Sequence, residues 1–502
     1  MKVFDFRFLG GLVAVAAIAL AVWQLESVRA GLTITHTLVG TTPVTITHRE
    51  GTAPAPVIVI AHGFAGSRQM MAAYALTLAR AGYVAVSFDF KGHGRNAVPM
   101  SGDLERIEGT TQLLVSETAE IIDAALALPV ADGRVAVLGH SMASDIIIRQ
   151  AIADPRVKAT VAISAFSKAT TSDAPANLLL IAGEWEGGLR DEALRALRLV
   201  STDAVEGRTV GTPSVSDGDA GGRRFVSAPS VEHVGILYSA TALREARAWL
   251  DQVFGRTSDG PVAATGGWVA LLMGGLVFLA WPLTRLLPRS GEPVAEIPAR
   301  VFFAAALIPA IVTPLVLSLF DTRILPVLVA DYLAMHLLVY GALSIAILRW
   351  GGIPIGRVAW VSGIALAVFG IFVFGGALDR YVASFMPTDA RLPIIAAIAV
   401  GAVPYMLADA LLSQAGAAPW YRGLMARGAF LASLIGAVML DFERLFFLLI
   451  IIPVIVLFFV IFGLMGGWVG RWTRSPFAVG LGLGLVLAWA LGVSFPLFIS
   501  TA

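Results

Sequence analysis

Cysteine is absent from all 502 residues. That excludes disulfides, thiolate metal centres and a cysteine nucleophile. Charge is also scarce: Asp, Glu, Lys and Arg together make up 14% of the chain and apolar residues 57%. A soluble globular protein carries roughly a quarter charged residues, so much of this chain is expected in lipid. The net charge is +1 and no basic stripe with interleaved aromatics occurs, so nucleic acid is not expected as a partner. The Gly480-Leu481-Gly482-Leu483-Gly484 pattern has no strand before it and reads as small-residue helix packing rather than a nucleotide loop. No cofactor and no metal ion is expected, and the sequence carries no signal for oligomeric state. Histidine occurs only seven times, so any histidine-dependent chemistry can be traced by elimination.

Three regions differ in character. Lys2 and Arg7 precede an apolar run from Phe8 to Trp23, which reads as a membrane anchor, with a cleaved signal ending near Val28-Arg29-Ala30 as the alternative. Residues 1–31 form this segment. Residues 32–258 alternate strands and helices. Two short strands, Leu32–Val39 and Val44–His48, come first. Continuous apolar strands follow at Val57–Ala61, Tyr83–Asp89, Val135–Leu138, Ala159–Ser164 and Leu178–Ala182, with a weaker one at Arg223–Ser227. Helical stretches at about 69–81, 111–128, 143–153 and 241–254 separate them. This alternation implies an α/β fold with a mostly parallel sheet covered on both faces. Residues 259–502 hold about eight apolar runs, most long enough to span a bilayer, with Gly428–Leu440 the shortest. An all-α polytopic membrane domain is expected there.

Orientation follows from the arginines. If Lys2 and Arg7 are cytoplasmic, so are the segments with Arg285, Arg289 and Arg300, with Arg349 and Arg357, with Arg422 and Arg427, and with Arg471 and Arg474. The opposite segments hold Arg323, Arg380, Arg391 and Arg444 beside Asp321, Asp379, Asp389, Asp441 or Glu443. This bias obeys the positive-inside rule. It puts the strand-helix domain on the extracytoplasmic, periplasmic side of the cytoplasmic membrane.

The chemistry centres on Val135-Ala136-Val137-Leu138-Gly139-His140-Ser141-Met142-Ala143-Ser144. An apolar strand turns into a helix at a serine flanked two residues away on each side by a very small residue. That is the pattern of a nucleophile elbow, which holds a hydroxyl out at the carboxyl edge of the sheet. The plainer reading is a strand-to-helix turn with a capping serine. Serine needs a base, and the base an orienting acid. In this topology the base follows serine and acid in the chain, which leaves His233 and His336; His336 lies inside an apolar run, so His233 is the candidate. The acid is expected just beyond the strand Leu178–Ala182, at Glu186 or, as the alternative, Glu184; Asp191 and Asp203 fit less well. Oxyanion donors are expected from the backbone N–H groups of Met142, after the serine, and Phe64, after the first parallel strand.

With these residues in view, about 57–254 resemble the α/β-hydrolase superfamily. The matching pieces are His62-Gly63-Phe64, Asp89-Phe90-Lys91-Gly92-His93-Gly94, Gly139-His140-Ser141-Met142-Ala143, Gly183-Glu184-Trp185-Glu186 and His233. The resemblance implies a serine hydrolase working through an acyl-enzyme on Ser141. It also puts the family's acid at the place of Glu186, where Asp is commoner, and Ala143 stands where glycine is usual. Only Ala165 to Ala176 separates the strands that flank the usual lid insertion. With membrane segments at both ends, a lipophilic acyl ester (or amide) is the expected substrate, and an esterase or lipase is expected before a peptidase. Acyl transfer to a lipid alcohol would use the same residues. The alternative of another class is a transporter or membrane scaffold with a non-catalytic, ligand-binding hydrolase-like domain. For that reading Asp331, His336 and Asp409, within or near apolar runs, are the candidate intramembrane groups.

Overall fold

The computed structural model describes residues 6–499 except 52, 102, 104–106, 216–220, 290–294, 321, 323–324, 326 and 328. Lys2, Asp321 and Arg323 of the charge pattern lie outside the described residues. The chain divides into two compact units. One comprises Ala21–Ala270, Asp379–Ser384 and Pro496–Ala502; the other comprises Met1–Leu20, Leu271–Leu378 and Phe385–Phe495.

The first unit is built on eight strands: β1 (Leu32–Val39), β2 (Thr42–Arg49), β3 (Ala55–Ala61), β4 (Val84–Phe88), β5 (Ala131–His140), β6 (Val157–Ile163), β7 (Leu178–Gly183) and β8 (Arg223–Ala228). They form one sheet in the order β1-β2-β4-β3-β5-β6-β7-β8. β1 pairs antiparallel with β2, and β2 antiparallel with β4; every later pairing is parallel. β3, β4 and β7 are buried at every position, as parallel strands covered on both faces must be. The helices begin with α1 (Phe6–Ser27), which precedes the sheet, and continue with α2 (Ala72–Arg80), α3 (Gln112–Leu126), α4 (Met142–Ala153), α5 (Gly187–Arg198) and α6 (Ala240–Phe254). Side-chain alternation assigns the layers. Ile58, Ile60, Ala136, Leu138, Val161 and Ile163 pack with Tyr74, Leu78, Leu243 and Trp249 of α2 and α6. Ala162, Leu178, Leu180, Ala182 and Phe225 pack with Ile148 of α4 and with Ala193, Ala196 and Leu197 of α5.

Two differences from the sequence reading matter for the site. The helix expected from 69 starts with a 3-10 turn at Arg68–Met71 before α2. The backbone N–H of Arg68 donates to Asp89 Oδ1 at 2.7 Å, and its guanidinium pairs with the same carboxylate, so this turn is tied to the end of β4. α5, to which the sequence reading gave no range, opens directly after Glu186.

Segments remote in sequence complete this unit. Leu497 N–H donates to the Gly92 carbonyl at 2.9 Å, Met100 N–H to the Leu497 carbonyl at 2.8 Å, and Ile499 N–H to the Met100 carbonyl at 2.7 Å. Arg95 pairs with Asp379, and the Ser384 N–H donates to Ser67 Oγ at 2.9 Å. The loop after β4 is thereby held by chain that arrives about 400 residues later.

Among the described residues, nine helices are long and apolar enough to cross a membrane: Phe6–Ser27 and eight from Gly266 onward. The shortest apolar run, Gly428–Leu440, is the second half of a helix Trp420–Leu440. Arg427 interrupts the apolar pattern, and its guanidinium donates to Asp409 at 3.0 and 2.9 Å, which offsets the charge inside an otherwise apolar segment.

Candidate active site

Ser141 sits between β5 and α4 with φ 57° and ψ −121°, a sparsely populated conformation for a residue with a Cβ. Its surroundings show why its neighbours are small. A Cβ on Gly139 would lie 2.9 Å from the Ala143 carbonyl oxygen and 3.1 Å from the Ala143 methyl, which is itself fully buried. The turn is fixed on both sides: Ser141 N–H donates to the Ile163 carbonyl at 2.9 Å, and the N–H and hydroxyl of Ser144 donate back to the Ser141 carbonyl at 2.8 and 2.6 Å.

Ser141 Oγ lies 2.8 Å from His233 Nε2, and His233 Nδ1 lies 2.5 Å from Glu186 Oε1. Three elements supply the three groups, each at the carboxyl end of its strand. β8 leads to the His233 loop, which is pinned by the Glu232 carboxylate accepting from the N–H groups of Val234 and Gly235, both at 2.7 Å. The Trp185 N–H donates to the Val231 carbonyl at 3.2 Å, tying the loop after β7 to the same segment. Glu186 is buried and its second oxygen accepts from Gly183 N–H at 2.6 Å and Ser164 Oγ at 2.7 Å. Burial alone pushes this carboxyl up. The hydrogen bonds from His233, Gly183 and Ser164 outweigh it and hold the group below its ordinary value. Glu186 is therefore an ionised acceptor at neutral pH. His233 must then donate from Nδ1, which leaves Nε2 to accept from the serine hydroxyl. Glu184 points elsewhere: it is exposed and its carboxylate accepts from the Ser230 N–H at 2.7 Å.

The loop after β3 meets the serine from the other side. A Cβ on Gly63 would stand 3.0 Å from Ser141 Cβ and 3.2 Å from the His140 carbonyl oxygen, so glycine is what lets the 62–66 loop approach. Phe64 follows directly, and its ring meets that of His93 at 5.7 Å. Met142, the other expected donor, is the first residue of α4.

Two histidines that the sequence reading set aside build the surroundings. His62 Nε2 accepts from the Phe90 N–H at 3.1 Å, so the ring is the Nδ1–H tautomer and donates to the Gly63 carbonyl at 2.8 Å. Burial holds its pKa down. His140 Nε2 donates to the His233 carbonyl at 2.8 Å, so its ring braces the backbone of the histidine loop. Burial, then the neighbouring His233, push its pKa down to about 3. The sequence offered one signal for His140, its place immediately before the serine, but nothing to show its partner.

The Asp89–Gly94 turn also has a physical explanation. Asp89 is fully buried and accepts from the N–H groups of Arg68 and Arg95. Gly94 has φ +51°, and a Cβ there would come within 2.6 Å of the Asp89 carboxylate. Glu117, buried and raised by burial, accepts from Lys91 N–H, Asn96 and Thr42. These carboxylates shape the loop that carries His93 against Phe64.

Asp331, His336 and Asp409 lie in helices of the second unit. Asp409 is paired with Arg427. His336 is buried, with Nε2 3.1 Å from Ser433 Oγ and aromatic neighbours Tyr340 and Phe430. Asp331 accepts from the Tyr332 N–H at 2.8 Å.

Residues 52–201 match the profile of the family described as serine aminopeptidase, S33. The match includes Ser141 and Glu186 and ends before His233. No curated protein is significantly similar to this chain. Similar solved structures include a hypothetical protein from Pseudomonas aeruginosa, 15% identical, covering 44% of this chain and 94% of that one with a TM-score of 0.32. A dienelactone hydrolase from Anabaena variabilis is 16% identical over 45% of this chain and 98% of its own, TM-score 0.33. An epoxide hydrolase from Vigna radiata is 23% identical over 27% and 41%, TM-score 0.22. No family profile matches the C-terminal region. The sheet order, the turn at Ser141 and the family match over residues 52–201 identify the strand-helix unit of this chain as an α/β hydrolase.

Proposed function

We propose that this protein is a membrane-integral serine hydrolase that cleaves acyl esters of a lipophilic substrate. The observation that carries the reading is the continuous relay Ser141 Oγ–His233 Nε2 at 2.8 Å and His233 Nδ1–Glu186 at 2.5 Å. Ser141 Oγ attacks the acyl carbonyl while His233 Nε2 takes its proton. Glu186 holds the Nδ1–H and stabilises the imidazolium, and the N–H groups of Phe64 and Met142 receive the oxyanion. His233 then protonates the leaving alcohol, and water releases the acyl group by the same steps in reverse order. The His233 side chain is 43% exposed, so water has access. A lipid alcohol in place of water would make the same site an acyltransferase.

The lipophilic substrate is supported by the surface around the relay. Residues 164–177, where a lid would be inserted, contain no helix or strand. Phe166 after β6, Trp185 after β7 and Val234 beside His233 are 56%, 67% and 47% exposed. All three follow the carboxyl ends of the neighbouring strands β6, β7 and β8, the end of the sheet that carries the relay, and exposed apolar side chains at that end are what an apolar acyl group would meet. The arginine bias along the chain supports an extracytoplasmic position for the hydrolase unit.

The test is hydrolysis of p-nitrophenyl esters of increasing acyl length by the purified full chain. The reading expects kcat/KM to rise with chain length and all turnover to vanish in Ser141→Ala. Faster cleavage of aminoacyl anilides than of any ester would replace the esterase reading with a peptidase.

A further inference from the structure

The second unit contains a cavity of about 540 Å³ between the helices Trp420–Leu440 and Leu448–Thr473. The short connection at 441–447 makes these helices antiparallel neighbours, and the cavity lies toward their far ends. Its lining runs from Leu431 and Val456 to Trp420 and Arg471. Glycine keeps it open. A Cβ on Gly423 or Gly428 would meet no atom within 4 Å, so that face of the first helix has no protein packed against it. On the second helix, Gly463 and Gly467 stand one turn apart. Guanidinium nitrogens occupy the space their side chains would take: Arg427 lies 2.9 Å from the Cβ position of Gly463 and Arg471 3.3 Å from that of Gly467. Two guanidinium groups therefore stand in succession along one wall.

Their charge is only half balanced. Asp409 is the one carboxylate in the lining and is engaged by Arg427. Arg471 donates to the Gly416 carbonyl at 2.9 Å and is exposed. One positive charge is left over at the mouth of a cavity whose walls are mainly apolar, where an anionic headgroup can serve as its counter-anion. Guanidinium groups match phosphate geometry well. Trp420, 80% exposed at the mouth, is the residue type that sits at headgroup level. From Arg471 to Val456 the helix descends about 22 Å, more than half of a bilayer core of about 30 Å. The groove is cationic at its mouth and apolar along its depth.

We infer that this groove binds one anionic phospholipid, its phosphate on Arg471 and Arg427 and an acyl chain along Gly428, Val460 and Val456. A soluble anion would leave the apolar depth unused, and a zwitterionic lipid would bring its own cation to the guanidinium pair. This site is independent of the serine relay.

The test is native mass spectrometry of the full chain released from nanodiscs that contain phosphatidylglycerol and phosphatidylcholine in equal amounts. The wild type should retain phosphatidylglycerol about fivefold over phosphatidylcholine, the effect of one charge near the surface. Arg471→Gln should bring the ratio close to one, and Arg471→Lys should restore part of it. Gly428→Leu, whose side chain enters open space, should reduce retention of both lipids. If that variant does not fold, Arg471→Gln at the exposed helix end still decides. Equal retention by the wild type, or a preference unchanged in Arg471→Gln, would overturn the inference. So would displacement of phosphatidylglycerol by millimolar inorganic phosphate, because the anion alone would then be the ligand.

Discussion

Replacing Glu186 with glutamine keeps the shape of the side chain and reverses one hydrogen bond. Glu186 Oε2 receives two donors, Gly183 N–H and Ser164 Oγ, while Oε1 receives His233 Nδ1. The Gly183 N–H is a fixed donor, so the amide oxygen of glutamine must take the Oε2 position. Its NH2 group then faces His233 Nδ1 and forces that nitrogen to accept. The ring proton moves to Nε2, opposite Ser141 Oγ, and the serine loses its base. In a relay of this geometry the wrong tautomer costs about 10³–10⁴ in kcat, or roughly 4–5.5 kcal/mol of transition-state stabilisation. KM should change little, because the substitution leaves the surface intact. The assay is steady-state ester hydrolysis by Glu186→Gln and Glu184→Gln side by side. Glu184 bonds only the Ser230 N–H on the surface, so its variant should stay within about threefold of wild type, a surface-level effect. A nearly active Glu186→Gln beside an inactive Glu184→Gln would refute the reasoning.

Three further outcomes follow from the same geometry. His140 is neutral in the fold, with a pKa near 3 against 6.5 unfolded. The unfolded chain therefore binds the extra proton, and stability should fall as pH drops from about 6.5 to 3, by up to about 1.4 kcal/mol per pH unit for this residue. His62 acts in the same direction, so thermal melts of His140→Gln, which keeps a donor to the His233 carbonyl, should show a shallower but not flat pH dependence. Ser141→Gly should be more stable than Ser141→Ala by about 1–2 kcal/mol in denaturant titrations, because only glycine relaxes the φ +57° turn; equal stability would mean the turn carries no strain. Deleting residues 496–502 removes the three backbone bonds to Gly92 and Met100. At about 1 kcal/mol each, this should raise amide exchange at 92–100 by at least roughly tenfold and lower turnover, while unchanged exchange would show that the tail does not hold the loop.

The positions of the parallel strands along the chain were readable because strands buried on both faces are continuous apolar runs, whereas their order in the sheet was not. β3, β4, β6 and β7 lie within two residues of their expected limits for this reason. The serine turn was legible from small residues whose necessity is local, since Gly139 and Ala143 touch each other. The sequence favoured Glu186 but did not decide it against Glu184. Their difference arises in the tight turn where Glu186 N–H returns to the Gly183 carbonyl and α5 begins. Contacts between distant segments were invisible for a more basic reason. Asp379 and Leu497 look like the ends of membrane runs, and nothing in their own neighbourhoods names Arg95 or Gly92 as a partner. Arg427 misled the apolar-run reading because its charge is cancelled by Asp409, eighteen residues earlier.

The central claim is that Ser141 is an activated nucleophile. Covalent labelling of purified membranes with a fluorophosphonate probe tests it most directly, comparing wild type with Ser141→Ala and His233→Ala. The geometry predicts strong labelling of the wild type, none in Ser141→Ala and a sharp reduction in His233→Ala. A folded wild type that takes no label, or labelling that survives in Ser141→Ala, would contradict it.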